Sequence, residues 1–268
     1  MTDGDGLDGS PDLTYSSYLA LDEVLGAQRP QSDEHDEMLF VVIHQVYELW
    51  FKQLLHELGH LQRRLEAGDT PHVLHTLKRV LTILKVAVAQ IDVLETMTPR
   101  QFLGFRSRLE AASGFQSAQF RELEAVLGRR DRRAFAHYPE GSAARERIVG
   151  AMARPALFDS FLRYLVTQGY EVPAEALGRD PAAPAEPSPE VQRTLLRVYR
   201  DDGEPTQVAE RLVDVDEGMQ EWRYRHVKMV ERTIGHRSGT GGSPGVAYLR
   251  TTLSQPVFPD LWAVRSEL

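Results

Sequence analysis

The chain has 268 residues and no cysteine, and its 31 Lys+Arg against 39 Asp+Glu leave a formal charge of -8. Such a length can bury a substantial core in one or two domains, and the acidic balance disfavours nucleic acid and anionic membrane as partners. Without thiols, disulfides, iron–sulfur clusters, thiolate-bound haem and cysteine zinc sites are excluded, so any metal must rest on His or carboxylate.

Residues 1 to 12, MTDGDGLDGSPD, are acidic and glycine-rich and read as a disordered tail before one domain spanning 13 to 268. The start lacks a basic-then-apolar leader pattern, and the longest apolar run, Met38 to Ile43, is far too short to cross a bilayer. These features predict a soluble cytoplasmic protein. From Asp36 to about Arg64 no proline interrupts strong helix formers, and the first half is apolar nearly all round, as in a central, buried helix. A second long helix is predicted over Thr70 to Thr96, where Val73, Leu77, Val80, Leu84, Val88 and Ile91 recur three or four apart.

Pro99 opens another helix, and a loop around Glu110 to Gly114 leads into one from Ser117 to Leu127. Shorter amphipathic pieces follow at 144–152 and 156–169. The stretch EVPAEALGRDPAAPAEPSPE, 171–190, is the densest in proline and reads as a long excursion. Helices resume at 190–200 and 206–235, followed by the loop SGTGGSPG at 238–245, a short helix and a tail. Two-residue alternation is nowhere sustained, so the fold class is all-α.

HELGH, 56–60, spells the H-E-x-x-H pattern of zinc peptidases and would set His56 and His60 on one helix face. No G-x-x-H follows, and no third ligand stands in the glutamate-bearing context such enzymes use, so the match reads as chance. His44 is on roughly the opposite side, sharing a face with Phe40, Tyr47, Phe51 and Leu58. An imidazole among aromatics needs a partner. It is either a core histidine bonded to a backbone carbonyl or a pocket residue that hydrogen-bonds a ligand. His226 belongs to the stripe Leu212, Val215, Met219, Trp222, His226, Met229, Thr233, which has the spacing of an inward helix face. It is either a satisfied core residue or an axial ligand to haem, with Arg223 and Arg225 near enough in sequence to balance propionates. Arg106, next to Phe105, is either a salt-bridge residue or a bidentate carboxylate clamp. SGTGGSPG lacks the G-K-[ST] of a phosphate loop, and its glycines suit a mobile lid with Thr240 as its polar handle.

Six segments together resemble the tryptophan 2,3-dioxygenase family: YSSYLALDEVLGAQ (15–28), HDEMLFVVIHQVYELWFKQLLHEL (35–58), VLETMTPRQFLGFR (93–106), SGFQSAQFRELE (113–124), EWRYRHVKMV (221–230) and GTGGSPGVAYLR (239–250). The similarity is collinear from about residue 13 to 263. It implies an all-helical, homotetrameric enzyme containing haem b that opens the indole of L-tryptophan with O2 to N-formylkynurenine. On this resemblance His226 is the proximal haem ligand, and His44 the distal histidine meeting the indole N–H. Arg106 clamps the substrate carboxylate, Thr240 meets its ammonium and carboxylate, and Phe40 and Phe102 wall the indole pocket. Ser113 and Gly114 lie near the haem edge, while Tyr15, Tyr18 and Leu19 enter the active site of a neighbouring subunit. Phe102 replaces the Tyr of some bacterial members, and Ile43 and Pro244 are mild departures. Two enzyme rivals remain: a mono-oxygenase of the same superfamily making a 2-oxindole from tryptophan or β-methyl-tryptophan, and the zinc peptidase. A catalytically silent helical scaffold is the third.

Overall fold

Helix starts in this chain carry their caps in the sequence. Thr14, Asp69, Thr98, Ser117, Ser142 and Ser188 each accept, through the side chain, a hydrogen bond from the backbone N–H three residues on. Each satisfies one of the donors that a first turn leaves open. A computed structural model describes residues 12–110, 112, 116–131, 135–235, 237, 246–253 and 255–268. Among them there is no strand, and the chain is all-α.

The helices are α1 (Tyr15–Leu19), α2 (Leu21–Leu25), α3 (His35–Glu66), α4 (Thr70–Leu94), α5 (Pro99–Arg106), α6 (Ala118–Leu127) and α7 (Ala143–Met152). Then come α8 (Leu157–Thr167), α9 (Ala174–Leu177), α10 (Pro189–Asp201), α11 (Glu204–Ile234), α12 (Val246–Arg250) and α13 (Pro259–Ala263). The predicted helices from Asp36 onward reappear with ends moved by a residue or two, as fraying termini allow. No described helix is long and apolar enough to cross a membrane.

Three long helices make the frame: α4 packs against both α3 and α11, while α6 and α8 close the other side of α3. Leu54, Leu58, Leu61 and Leu65 of α3 meet Val73, Leu77, Val80 and Leu84 of α4 and Leu212, Val215 and Met219 of α11 in one core. Burying each such side chain stabilises by roughly 1.5–3 kcal/mol. The α3–α4 turn needs Gly68, whose φ is +70° and whose absent Cβ would come within 2.8 Å of the Thr167 hydroxyl. A side chain there would be strained by the backbone and blocked by α8.

The proline-rich stretch is tied to the body. Arg179 donates to both oxygens of Asp159 at 2.7 Å, and Arg130 donates to the Pro181 carbonyl at 2.6 Å. The short helix α9 in this stretch and the short helices at both ends of the chain went unread in the sequence. The tail holds α13, pinned because the fully buried Asp216 of α11 accepts from the backbone N–H of Val257 and Phe258 and from the Trp262 indole. At the other end, α1 and α2 form without burying a single residue.

Candidate active site

One face of α3 presents Phe40, His44, Tyr47 and Phe51 to a cavity of about 230 Å³. Phe102 and Arg106 reach it from α5, Phe120, Arg121 and Glu124 from α6, and Trp222, His226, Met229 and Thr233 from α11. The α11 stripe therefore changes role along its length. Leu212, Val215 and Met219 fill the core, whereas the four residues beyond them line a space.

Aromatic packing builds the distal wall. Phe40 lies 4.1 Å from the His44 ring, 5.7 Å from Phe102 and 5.6 Å from Phe105, between ring centroids. The Nδ1 of His44 is 2.7 Å from the Phe40 carbonyl oxygen, and since a carbonyl can only accept, that nitrogen carries the hydrogen. Burial lowers the His44 pKa, against the opposing pull of that hydrogen bond and of Glu48. The ring is then neutral at neutral pH, with Nε2 as an acceptor ready for an N–H.

His226 is also kept neutral. Burial, then the charges of His44 and Arg121, push its pKa down to about 4. Its ring lies parallel to that of Trp222, with centroids 5.1 Å apart and 4° between planes. A neutral imidazole in an apolar wall has a lone pair to give to a metal, and the aromatic surroundings suit a porphyrin, so the residues present fit haem. Arg106, the last residue of α5, is half-buried in the same wall.

The α6 side of the cavity holds charges that the sequence hides. Glu124 is buried and accepts from Arg121 at 2.7 Å, Arg129 at 3.3 Å and Arg223 at 3.4 Å. Arg121 and Glu124, three residues apart on a short helix, look like a solvated pair in the sequence. Only the otherwise apolar neighbours Phe120 and Leu123 hint that the pair faces inward. Of the two arginines considered for propionates, Arg223 lines the cavity, whereas Arg225 pairs with Asp92 and Glu95 and is not among its lining residues.

The structure thus brings His44, Phe40, Phe102, Arg106 and His226 together. Tyr15, Tyr18 and Leu19 stand exposed on α1 and are not among the residues lining their own chain's cavity. Ser113, Gly114 and Thr240 lie outside the described residues. In HELGH, His56 is exposed, and Glu57 is buried with Gln53 and Arg79 bonded to its carboxylate. The would-be catalytic base of a peptidase is therefore a structural ion pair. Among the described residues no three His, Asp or Glu side chains converge as metal ligands.

Fold and site define an all-α protein with a small-molecule pocket held between two neutral imidazoles, with a guanidinium in its wall. The family model described as tryptophan 2,3-dioxygenase matches residues 3–157 and 191–268. Proteins named tryptophan 2,3-dioxygenase from Anaeromyxobacter sp. (strain K) and Herpetosiphon aurantiacus are 68% and 55% identical over 260 and 258 residues, covering 96% of this chain and 96% and 98% of theirs. One from Caulobacter vibrioides is 46% identical over 260 residues, with 96% of this chain and 99% of its own covered. The chain belongs to the tryptophan 2,3-dioxygenase family.

Proposed function

We propose that this chain opens the indole ring of L-tryptophan with O2, giving N-formylkynurenine, and that it does so as a cytoplasmic enzyme carrying haem b on His226. The observation that carries the reading is the pair of neutral imidazoles on α3 and α11 lining one aromatic cavity together with Arg106.

Bound haem iron supplies the activation of O2. The protein supplies orientation and dryness. With its hydrogen fixed on Nδ1, His44 offers Nε2 to the indole N–H, which aligns the pyrrole edge without removing a proton in advance. Phe40 and Phe102 press on the indole faces and keep water out. A zwitterionic amino acid in such a pocket must have its carboxylate paired, and the planar fork of Arg106 gives the two-point contact. On the resemblance to the family, Thr240 would meet the ammonium and carboxylate, and Ser113 and Gly114 would help to hold the haem. Of the two candidates for a propionate, Arg223 is the one buried in the cavity wall.

The wall is completed by a second chain. Tyr15, Tyr18 and Leu19 are exposed by 76%, 71% and 40%, and these apolar side chains are covered when α1 enters a neighbouring active site in a homotetramer. Ferrous holoenzyme turned over with tryptophan under labelled O2 tests the reaction. Both labelled atoms are expected in the product; a 2-oxindole carrying one would overturn the proposal in favour of the mono-oxygenase.

A further inference from the structure

A histidine that binds metal through one ring nitrogen is ordinarily oriented by a hydrogen bond from the other, to a carboxylate, a carbonyl or water. Among the described residues, neither nitrogen of His226 has a hydrogen-bond partner. What touches the ring instead is Trp222, one helical turn back on α11, stacked parallel within 4°. The indole is itself wedged. Phe120 of α6 lies 4.7 Å from it, and Phe51 and Tyr47 of α3 meet it edge-on at 6.2 and 6.5 Å. Three rings from two helices thus fix the plane of a fourth, and the fourth is parallel to the imidazole.

We propose that Trp222 is the positioning residue for His226, setting the plane of the imidazole by stacking where other sites use a hydrogen bond. Rotation of the imidazole about its Cβ–Cγ bond would drive its edge into the indole face, so the ring keeps one azimuth. The nitrogen that meets the iron is then held in register along α11. The inference rests on the reading that His226 takes the haem iron.

The test uses purified ferrous holoenzyme and two variants, Trp222→Leu and Trp222→Phe. Resonance Raman reads the iron–histidine stretching band, and transfer of haem to an acceptor apoglobin reads its release. Trp222→Leu, which removes the flat face, is expected to shift and broaden the band and speed release by about tenfold or more. Trp222→Phe keeps an aromatic face and is expected to retain most of the parent's band position and width. A Leu variant with the parent's band and release rate overturns the proposal. So does a Phe variant displaced as far as Leu, because loss of volume rather than of stacking would then be the cause. Should Trp222→Leu fail to fold, the Phe variant and Trp222→His, which also offers a flat face, decide by the same band. A parent protein that binds haem but shows no iron–histidine band removes the assignment of His226 itself, a separate result from failure of the stack.

Discussion

Holding an imidazole neutral has a thermodynamic consequence at His226. Its pKa in the folded chain is about 4, against 6.5 for an unperturbed ring, with burial the largest cause and the charges of His44 and Arg121 next. Between those two values the unfolded chain binds a proton that the folded apoprotein refuses. Stability therefore falls as pH drops from about 6.5 towards 4 and levels off below it. After discounting for the ring's partial exposure, the loss is on the order of 2 kcal/mol. Urea unfolding of the apoprotein at pH 7 and pH 4, run beside His226→Gln, checks this, since carboxylate effects are common to both proteins and subtract out. The variant is expected to lose less stability on acidification than the parent; equal losses would mean that the ring is not held neutral. At physiological pH the same shift leaves the donor lone pair permanently available, so no proton has to leave before a metal binds.

At the scale of elements, α11 must keep His226 opposite α3, and its outer side is clamped by the C-terminal segment. Asp216 is fully buried and accepts four hydrogen bonds of 2.8 to 2.9 Å, from the Val257 and Phe258 N–H groups, the Trp262 indole and the Gln220 amide. Arg223 adds a bond to the Gln255 carbonyl at 3.2 Å. Asp216→Ala strands those donors and is expected to cost about 3 kcal/mol or more in urea unfolding, with Asp216→Asn, which keeps one acceptor oxygen, losing less. A loss below about 1 kcal/mol would show that the segment is held by its apolar side chains alone. This clamp also explains what the sequence could not say. The long helices announce themselves through apolar periodicity and caps, but the five residues Pro259–Ala263 have no local reason to be helical; a carboxylate more than forty positions away supplies it. The site divides the same way. His44 and His226 are legible because an imidazole on an apolar face is an anomaly that periodicity exposes. Trp222 and the Arg121–Glu124 pair are not, because a tryptophan on such a face looks like core and a charged pair three apart looks like surface until the packing direction of α6 is known.

For the whole molecule, the open question is what covers the amino-terminal helices. Five-residue helices are marginal in water, yet α1 carries a complete capping box at Thr14 and Ser17 and spends its apolar side chains on solvent. A partner surface resolves that contradiction, and a symmetric oligomer offers one in which each chain both gives and receives the segment. Subunit mixing separates this arrangement from ordinary docking. One chain carries Tyr15→Ala and Tyr18→Ala and keeps its own cavity intact. The other carries Arg106→Leu, which loses the carboxylate clamp and should weaken tryptophan binding by about 2–5 kcal/mol, but it keeps a sound amino terminus to donate. Each alone is expected to be nearly inactive with the parent's oligomeric state by sedimentation. In random mixed oligomers from an equal co-expression, about half the cavities keep Arg106 and about half of those receive an intact Tyr15–Leu19 segment, so about a quarter of the parent's activity should return. Activity no greater than the average of the two variants would mean that each chain closes its own pocket. The exposed face of α1 would then be an assembly surface with no part in binding tryptophan.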